Sequence, residues 1–565
     1  MIERNGENMK KSPIGIDDYK KLIEEGCTYV DKTLFIQEII ERGTELAIIP
    51  RPRRFGKTVN MSMLRYFFEK TQEDNSHLFS PYKIWQTKYK DLQGTYPVIF
   101  ITLKEAKQET WESAYEKLTK LIAEEFERHR YLLDGITLSP EEKDSFYAIL
   151  SKKGTQVDYE LSLKWLVMWL KRYHDKRVFV LIDEYDAPIH MAYFHGYYPR
   201  IINFMRNWLG GGLKGNASLE KGVITGILRI AKENIFSDLN HSTNFTMFSK
   251  DFGDKFGLLE EEVFALLIEN NMEGKLDDVR NWYNGYRIGA HAIYNPWSIL
   301  HYIQNKTLEP YWVYTSGNDL IKEQLEQKGI FFKEDFETLV LGGSITKLVD
   351  QGLVFASLKS SKEAIWGLLL FSGYLTLAET PSLSRTRISC KLTVPNQEVL
   401  DFFQDTIQDY FIETCSIPLP DLLRDLITGN VKAFSEKFQE MILNIFSTHD
   451  IPKGAPERVY HAFVLGLLAS LPEEGYELKS NRESGLGRYD VCLFPKDPKG
   501  LGIILEFKKA EKGQKNLKEL ATLAITQIQS LQYVTELKSR GVQRILALGM
   551  AFQGKLVSIQ DKFLE

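Results

Sequence analysis

Short unbroken apolar runs recur along the first half of the chain, and stretches with apolar residues at helical spacing separate them. The runs are "ELAIIP" (Glu45–Pro50), "PVIFITL" (Pro97–Leu103), "RVFVLIDE" (Arg177–Glu184) and "GVITGIL" (Gly222–Leu228). Turn residues bound the first of them, and each reads as a buried strand. After Thr58, "VNMSMLRYFFEK" has apolar residues at helical spacing and predicts a helix. Strands alternating with helices predict an α/β fold with a parallel sheet covered on both faces.

The pattern changes further on. "DVRNWYNGYRIG" (Asp278–Gly289) and "AIYNPWSIL" (Ala292–Leu300) interleave aromatics with Asn-Gly and Asn-Pro, which predicts packed turns between short helices. Short helices and strands then mix, "PSLSRTRISCKLTVPN" (Pro381–Asn396) suggests a hairpin, and helical spacing resumes from Glu398 to Phe446. "STHDIPKGAP" (Ser447–Pro456) reads as a linker. Beyond it come a helix opening at Glu457, two strands within Tyr476–Asp497, a buried strand "GIILEFKKA" (Gly502–Ala510), a helix Glu519–Tyr533 and a last strand Arg544–Phe552. The predicted domains are 1–240, a helical lid and middle region with winged-helix-like character at 241–446, and a small α/β domain at 447–565.

Composition narrows the classes. At 565 residues the chain is too long for one core. With 43% hydrophobic and 26% charged residues it has ordinary globular composition, and its formal charge of -5 excludes a global basic signature. The four cysteines are far apart in sequence and form no Cys-x-x-Cys pair, which suits a reducing compartment. No apolar run is long enough to span a bilayer, and "MIERNGENMKKSP" carries no apolar signal core. A cytoplasmic protein is expected, with no membrane partner.

"RPRRFGKT" (Arg51–Thr58) follows the first strand and opens the first helix. It holds the Gly56-Lys57-Thr58 end of a phosphate-binding loop, but Arg51 stands where the usual pattern begins with glycine. Free N–H groups at the helix start would face phosphates, Lys57 would reach the β and γ groups, and the Thr58 hydroxyl would sit on magnesium. Arg54 and Phe55 complete the candidate nucleotide set. Arg53 and Arg54 either add charge near the phosphates or form a solvated basic turn. Asp183-Glu184 closes the third run, where ligands bind in such sheets. Asp183 would hold magnesium, Glu184 would polarise the attacking water, and Thr225 on the next run would sense the γ-phosphate or the water.

"YVDKT" (Tyr29–Thr33), "RPRRFGKT", "LIDEYDAPI" (Leu181–Ile189) and "ITGILRIAKENIFSDLN" (Ile224–Asn240) resemble the bacterial AAA-ATPase-like family. The resemblance extends through the aromatic turns to Leu300. It implies that the arginine-rich loop is the ordinary form of the site and that a nuclease-like tail often follows. The aromatic segment would then be a lid, with Arg229 or Arg287 contacting phosphate, or a plain helical core.

In the tail, Glu506 and Lys508 are two apart on a strand and share a face, with Phe507 pointing away. Asp490 starts the strand before. This layout resembles the PD-(D/E)-x-K nuclease superfamily, with Tyr489 in place of the proline. The resemblance implies that Asp490 and Glu506 bind Mg2+ or Mn2+, that Glu457 completes the metal site, and that Lys508 orients or deprotonates water. Gln527 stands where relatives carry glutamine or lysine. Lys508, Lys509, Lys512, Lys515 and Lys518 either hold a phosphate backbone or form a solvated face. The expected protein binds and hydrolyses ATP and gates a metal-dependent nuclease acting on nucleic acid, DNA first. The alternative is a nucleotide-dependent switch whose tail binds nucleic acid or protein without cutting. A homo-oligomer is compatible with either.

Overall fold

The computed structural model describes residues 11–228, 242–315, 318–327, 334–340, 342–352, 358, 361, 363–381, 387–414, 418–448, 464–468, 471, 474–484, 487–510 and 516–564. The chain divides into two compact units, Met1–Thr315 with Thr346–Glu398, and Ser316–Ile345 with Val399–Glu565. Among the described residues no helix is long and apolar enough to cross a membrane.

The first unit is built on a five-stranded parallel sheet in the order β2-β3-β4-β1-β5. Its strands are β1 (Leu46–Pro50), β2 (Val98–Thr102), β3 (Val178–Asp183), β4 (Leu219–Gly226) and β5 (Ser242–Asn244). Every residue of β1 and β3 is buried, as expected when helices cover both faces. The helix Lys57–Phe68 packs on the sheet, where Phe68 stacks on Phe179 with ring centroids 4.0 Å apart. The segment read as packed turns is partly a hairpin, β6 (Tyr286–Ile288) against β7 (His291–Ile293). Gly289 sits at the bend with φ 56 and leaves no room for a Cβ, which would lie 2.5 Å from the Ser249 carbonyl oxygen.

The register decides what meets at the carboxyl edge. Ile49 pairs with Thr225 and Pro50 with Gly226, while Ile182 pairs with Ile224 and Thr102 with Asp183. The ends of β4 and then β3 therefore lie side by side next to the loop that leaves β1, on the side away from β5.

A three-stranded sheet in the order β8-β10-β9 follows, from β8 (Ser344–Asp350), β9 (Thr376–Leu377) and β10 (Arg387–Thr393). The segment Pro381–Asn396, expected to form a hairpin by itself, has one strand among its described residues, β10, which pairs antiparallel with β9 from outside the segment, Leu392 with Leu377 and Thr393 with Thr376.

The second unit carries the sheet β11-β12-β13-β14-β15. Its strands are β11 (Tyr476–Ser484), β12 (Gly487–Pro495), β13 (Leu501–Lys509), β14 (Arg544–Gln553) and β15 (Leu556–Leu564). All neighbours are antiparallel except β13 and β14, which the helix Leu517–Ser530 connects. That helix lies so close to β14 that a Cβ on Gly549 would sit 2.0 Å from the Ala521 carbonyl oxygen. The strand expected to be the last, β14, is followed at the edge of the sheet by β15. Helix Val431–Thr448 covers part of it: Gln439 donates to the Lys555 carbonyl at 2.9 Å and accepts from the Val557 N–H at 2.8 Å.

Candidate nucleotide and nuclease sites

The loop after β1 is held by its own arginines and by the aromatic segment. Arg51 is 1% exposed. Its Nη1 donates to the carbonyls of Pro50 at 2.8 Å and Phe245 at 2.6 Å, and its Nη2 to Phe252 at 3.2 Å. Burial lowers its pKa to about 9, with Glu38 opposing that shift. Arg51 thus acts as an internal brace where other loops have glycine. Arg51→Gly, which restores the common pattern, should lower unfolding stability by about 2–4 kcal/mol because it leaves buried carbonyls unpaired. A denaturant titration checks it, and an unchanged midpoint would refute the brace.

Arg54 and Gly56 both take left-handed backbone, with φ 67 and 79. Alternating hand turns successive N–H groups inward, which makes an anion-binding concavity. For a non-glycine this costs about 1–2 kcal/mol. The cation–π contact of Arg54 with Trp297, 4.0 Å from guanidinium carbon to centroid, offsets part of that. The Phe55 ring is fully buried, 5.1 Å from the Tyr286 ring in a T-shaped contact, so only its backbone can face a ligand. Asn295 donates to the Arg53 carbonyl at 3.3 Å.

Lys57 starts the helix, and its Nζ donates to the carbonyls of Arg51 at 3.2 Å and Pro52 at 3.0 Å. Burial lowers its pKa, opposed by the charges of Glu184, Asp183 and Asp186. Thr58 Oγ1 donates to Asp183 Oδ2 at 2.8 Å, and Thr225 Oγ1 to Asp183 Oδ1 at 2.6 Å. Burial raises the Asp183 pKa although both hydroxyls oppose it. The sequence-predicted Thr58, Asp183 and Thr225 thus converge on one carboxylate. Glu184 follows with φ 50, a strained position at the strand end.

Asp186 was not singled out from the sequence. It is buried, and its Oδ2 accepts from the N–H groups of Ile227 at 2.9 Å and Leu228 at 2.8 Å, tying the segment after β3 to the end of β4. The signal was a third acidic residue in "LIDEYDAPI". Arg287 Nε donates to the Leu377 carbonyl at 3.3 Å. Arg229 lies outside the described residues. In "YVDKT", Lys32 has a structural role, since its buried Nζ bonds both oxygens of Glu262 at 2.7 and 2.6 Å.

In the second unit the ladder between β12 and β13 reaches Val491–Leu505, and Asp490 and Glu506 are the next residue on each strand. Asp490 Oδ2 accepts from the Phe507 N–H at 2.7 Å. Glu506 is 2% exposed. Its Oε1 accepts from Lys508 Nζ at 3.2 Å and from Gln527 Nε2. Its Oε2 is buried and makes no hydrogen bond. Burial, reinforced by the Asp490 charge, raises the Glu506 pKa to about 7. Tyr533, also not foreseen, accepts from Gln527 Nε2 at 3.3 Å. The aromatic ending "SLQY" was its only trace.

Two adjacent carboxylates, one with an unpartnered buried oxygen, form a donor set suited to a hard divalent cation. Among the described residues no group of three acidic, histidine or cysteine side chains is gathered for a metal. The expected third ligand, Glu457, lies outside the described residues, as do Lys512 and Lys515.

The model of the family described as "Predicted AAA-ATPase" matches residues 13–236, and that of the PD-(D/E)XK nuclease superfamily matches residues 455–562. The chain joins an AAA-ATPase-like domain to a PD-(D/E)XK nuclease superfamily domain. Thr58, Asp183 and Thr225 fall inside the first match, and Asp490, Glu506 and Lys508 inside the second. Over 549 residues the chain is 25% identical to "Uncharacterized protein in vnfD 5'region" of Azotobacter chroococcum mcd 1, with 96% of each chain covered. Asn295 and Trp297 of the AAA-ATPase-like unit lie beyond the matched segment yet touch its phosphate loop.

Proposed function

We propose that the chain binds and hydrolyses ATP at residues 51–58 and cleaves nucleic acid, DNA first, at the PD-(D/E)XK site, with the nucleotide gating cleavage. The observation that carries this reading is the Asp490–Glu506–Lys508 cluster, complete in residue type and holding one unpartnered buried carboxylate oxygen. Asp490 and Glu506 would hold Mg2+ or Mn2+, which when bound stabilises charge on the phosphate and acidifies water. Lys508 orients the attacking water and balances charge. Gln527 fixes the Glu506 carboxylate, and so leaves the other oxygen for the cation.

In the ATPase site, Thr58 and Asp183 would hold the magnesium that accompanies ATP, while Lys57 binds the terminal phosphates. Thr225 fixes the Asp183 rotamer from β4. Glu184 orients the attacking water and accepts its proton. Gating is inferred from the two catalytic sets sharing one chain.

Plasmid, single-stranded DNA and RNA incubated with the full chain and Mg2+ or Mn2+, with and without ATP, test the reading. Cleavage is expected to need the metal and to change when ATP is present. Cleavage in excess chelator would overturn the nuclease assignment. Metal-dependent cleavage indifferent to ATP would overturn the gating.

A further inference from the structure

Four planar groups form a ladder beside the phosphate loop. The Arg54 guanidinium lies 4.0 Å from the centroid of Trp297, Trp297 is 4.5 Å from His301, and His301 stacks on Tyr311 at 5.2 Å and 20°. Trp297 and His301 are one turn apart on the helix Pro296–Asn305 and so share a face. The helix is fastened to the loop independently of the ladder. Asn295 caps it, accepting from the Trp297 N–H at 2.9 Å, and donates to the Arg53 carbonyl at 3.3 Å. An indole is therefore held at a fixed place beside the phosphate loop.

Two features of the ladder are unspent. Arg54 is exposed, and its charge is directed onto a ring rather than onto a carboxylate at bonding distance. His301 Nε2 is shielded from solvent and makes no hydrogen bond. Burial and the Arg54 charge both lower the His301 pKa, so the imidazole stays neutral and adds no repulsion for a neutral ring beside it.

The geometry points to Trp297 as the platform on which the base of the bound nucleotide stacks, with Arg54 resting on it until the nucleotide arrives. Base stacking here presupposes that residues 51–58 hold the phosphates. The two-ring indole matches a purine better than a one-ring pyrimidine. Binding exchanges a cation–π contact for a base–aromatic stack, and the displaced guanidinium becomes available for charge-assisted bonds to the phosphate tail. Trp297 thereby sets base preference, whereas the loop reads phosphate.

Calorimetric titration of the full chain with MgATP, MgUTP and magnesium tripolyphosphate tests this in wild type, Trp297→Ala and Trp297→Phe. Trp297→Ala should weaken ATP about 10–100-fold, the usual worth of one base stack. It should not weaken tripolyphosphate binding, since Arg54 is then already free of the ring, and should erase the preference for ATP over UTP, while Trp297→Phe keeps most of the ATP affinity. Equal weakening of ATP and tripolyphosphate would make Trp297 a support of the loop and overturn the platform. Unchanged ATP binding in Trp297→Ala would do the same. Wild type binding tripolyphosphate as tightly as ATP overturns the platform alone. Wild type binding neither overturns the nucleotide site with it.

Discussion

Lys57→Ala is expected to weaken ATP binding by about two to three orders of magnitude and to abolish turnover, more than the loss of one ordinary hydrogen bond. The reason lies in the charges around it. Lys57 is 5% exposed, and Glu184, Asp183 and Asp186 all bear on it electrostatically. Without the ammonium these carboxylates repel the incoming phosphates, so alanine removes an attraction and uncovers a repulsion. The ammonium now bonds two carbonyls of its own loop, those of Arg51 and Pro52. Phosphate oxygens are better partners than neutral carbonyls, which favours the exchange on binding. Calorimetry with MgATP measures the affinity, and phosphate release measures turnover. A thermal melt establishes that the variant folds. ATP binding at wild-type strength would sink the nucleotide reading. If the variant binds no ATP yet cleaves DNA identically with and without it, while wild type responds, Lys57 is the gate's input.

Much of this site was legible because its strands are buried on both faces. Such strands are unbroken apolar runs, and β1 and β3 announce themselves this way, whereas β4 does so only from Gly222 onward, after the half-buried Glu220 and Lys221. The chemistry stands at their ends, so Thr58, Asp183 and Thr225 could be named before their meeting was known. That meeting is a matter of register, Ile49 with Thr225 and Ile182 with Ile224, which no local pattern encodes. β5 was missed because it is three residues, Ser242–Asn244, with no apolar signal and a pairing partner nearly two hundred residues earlier. β15 was missed for the opposite physical reason. It is an edge strand with exposed and half-buried positions throughout, so burial leaves little mark on its sequence. The β6–β7 hairpin was hidden behind Asn284-Gly285, which ends a helix rather than forming the strand turn. Arg51 stands where the usual phosphate loop begins with glycine, and nothing near it in sequence names its partners. Its bonds to Phe245 and Phe252 show it to be a brace, and those partners are distant in sequence. In the tail, the period-two logic that put Glu506 and Lys508 on one face agrees with their 3.2 Å contact.

Glu506→Gln should cost about three orders of magnitude or more in metal-dependent cleavage and, in the absence of divalent ions, should make the nuclease domain more stable at pH 8. Both effects come from one carboxylate. Burial and the neighbouring Asp490 raise the Glu506 pKa from 4.5 to about 7. A carboxyl whose folded pKa exceeds its unfolded value binds more protons in the folded state between those two values. Stability therefore falls as pH rises from about 4.5 through about 7, and the ionised form above that window carries a cost. Glutamine is isosteric, can still meet Gln527, and never ionises, so it escapes the cost. The stability advantage should vanish below about pH 4.5, where wild type is protonated in both states. Divalent cations reverse the order: Mn2+ should stabilise wild type by mass action, with an affinity that rises with pH through about 7, and leave the variant unmoved. Denaturant melts at pH 4, 6 and 8, with and without Mn2+, read all of this from one protein preparation. A variant destabilised at pH 8, with Mn2+ stabilising both forms alike, would make Glu506–Lys508 an ordinary buried ion pair. The expected pattern, activity lost while metal-free stability is gained, is that of a carboxylate kept in an unfavourable place for the cation it binds.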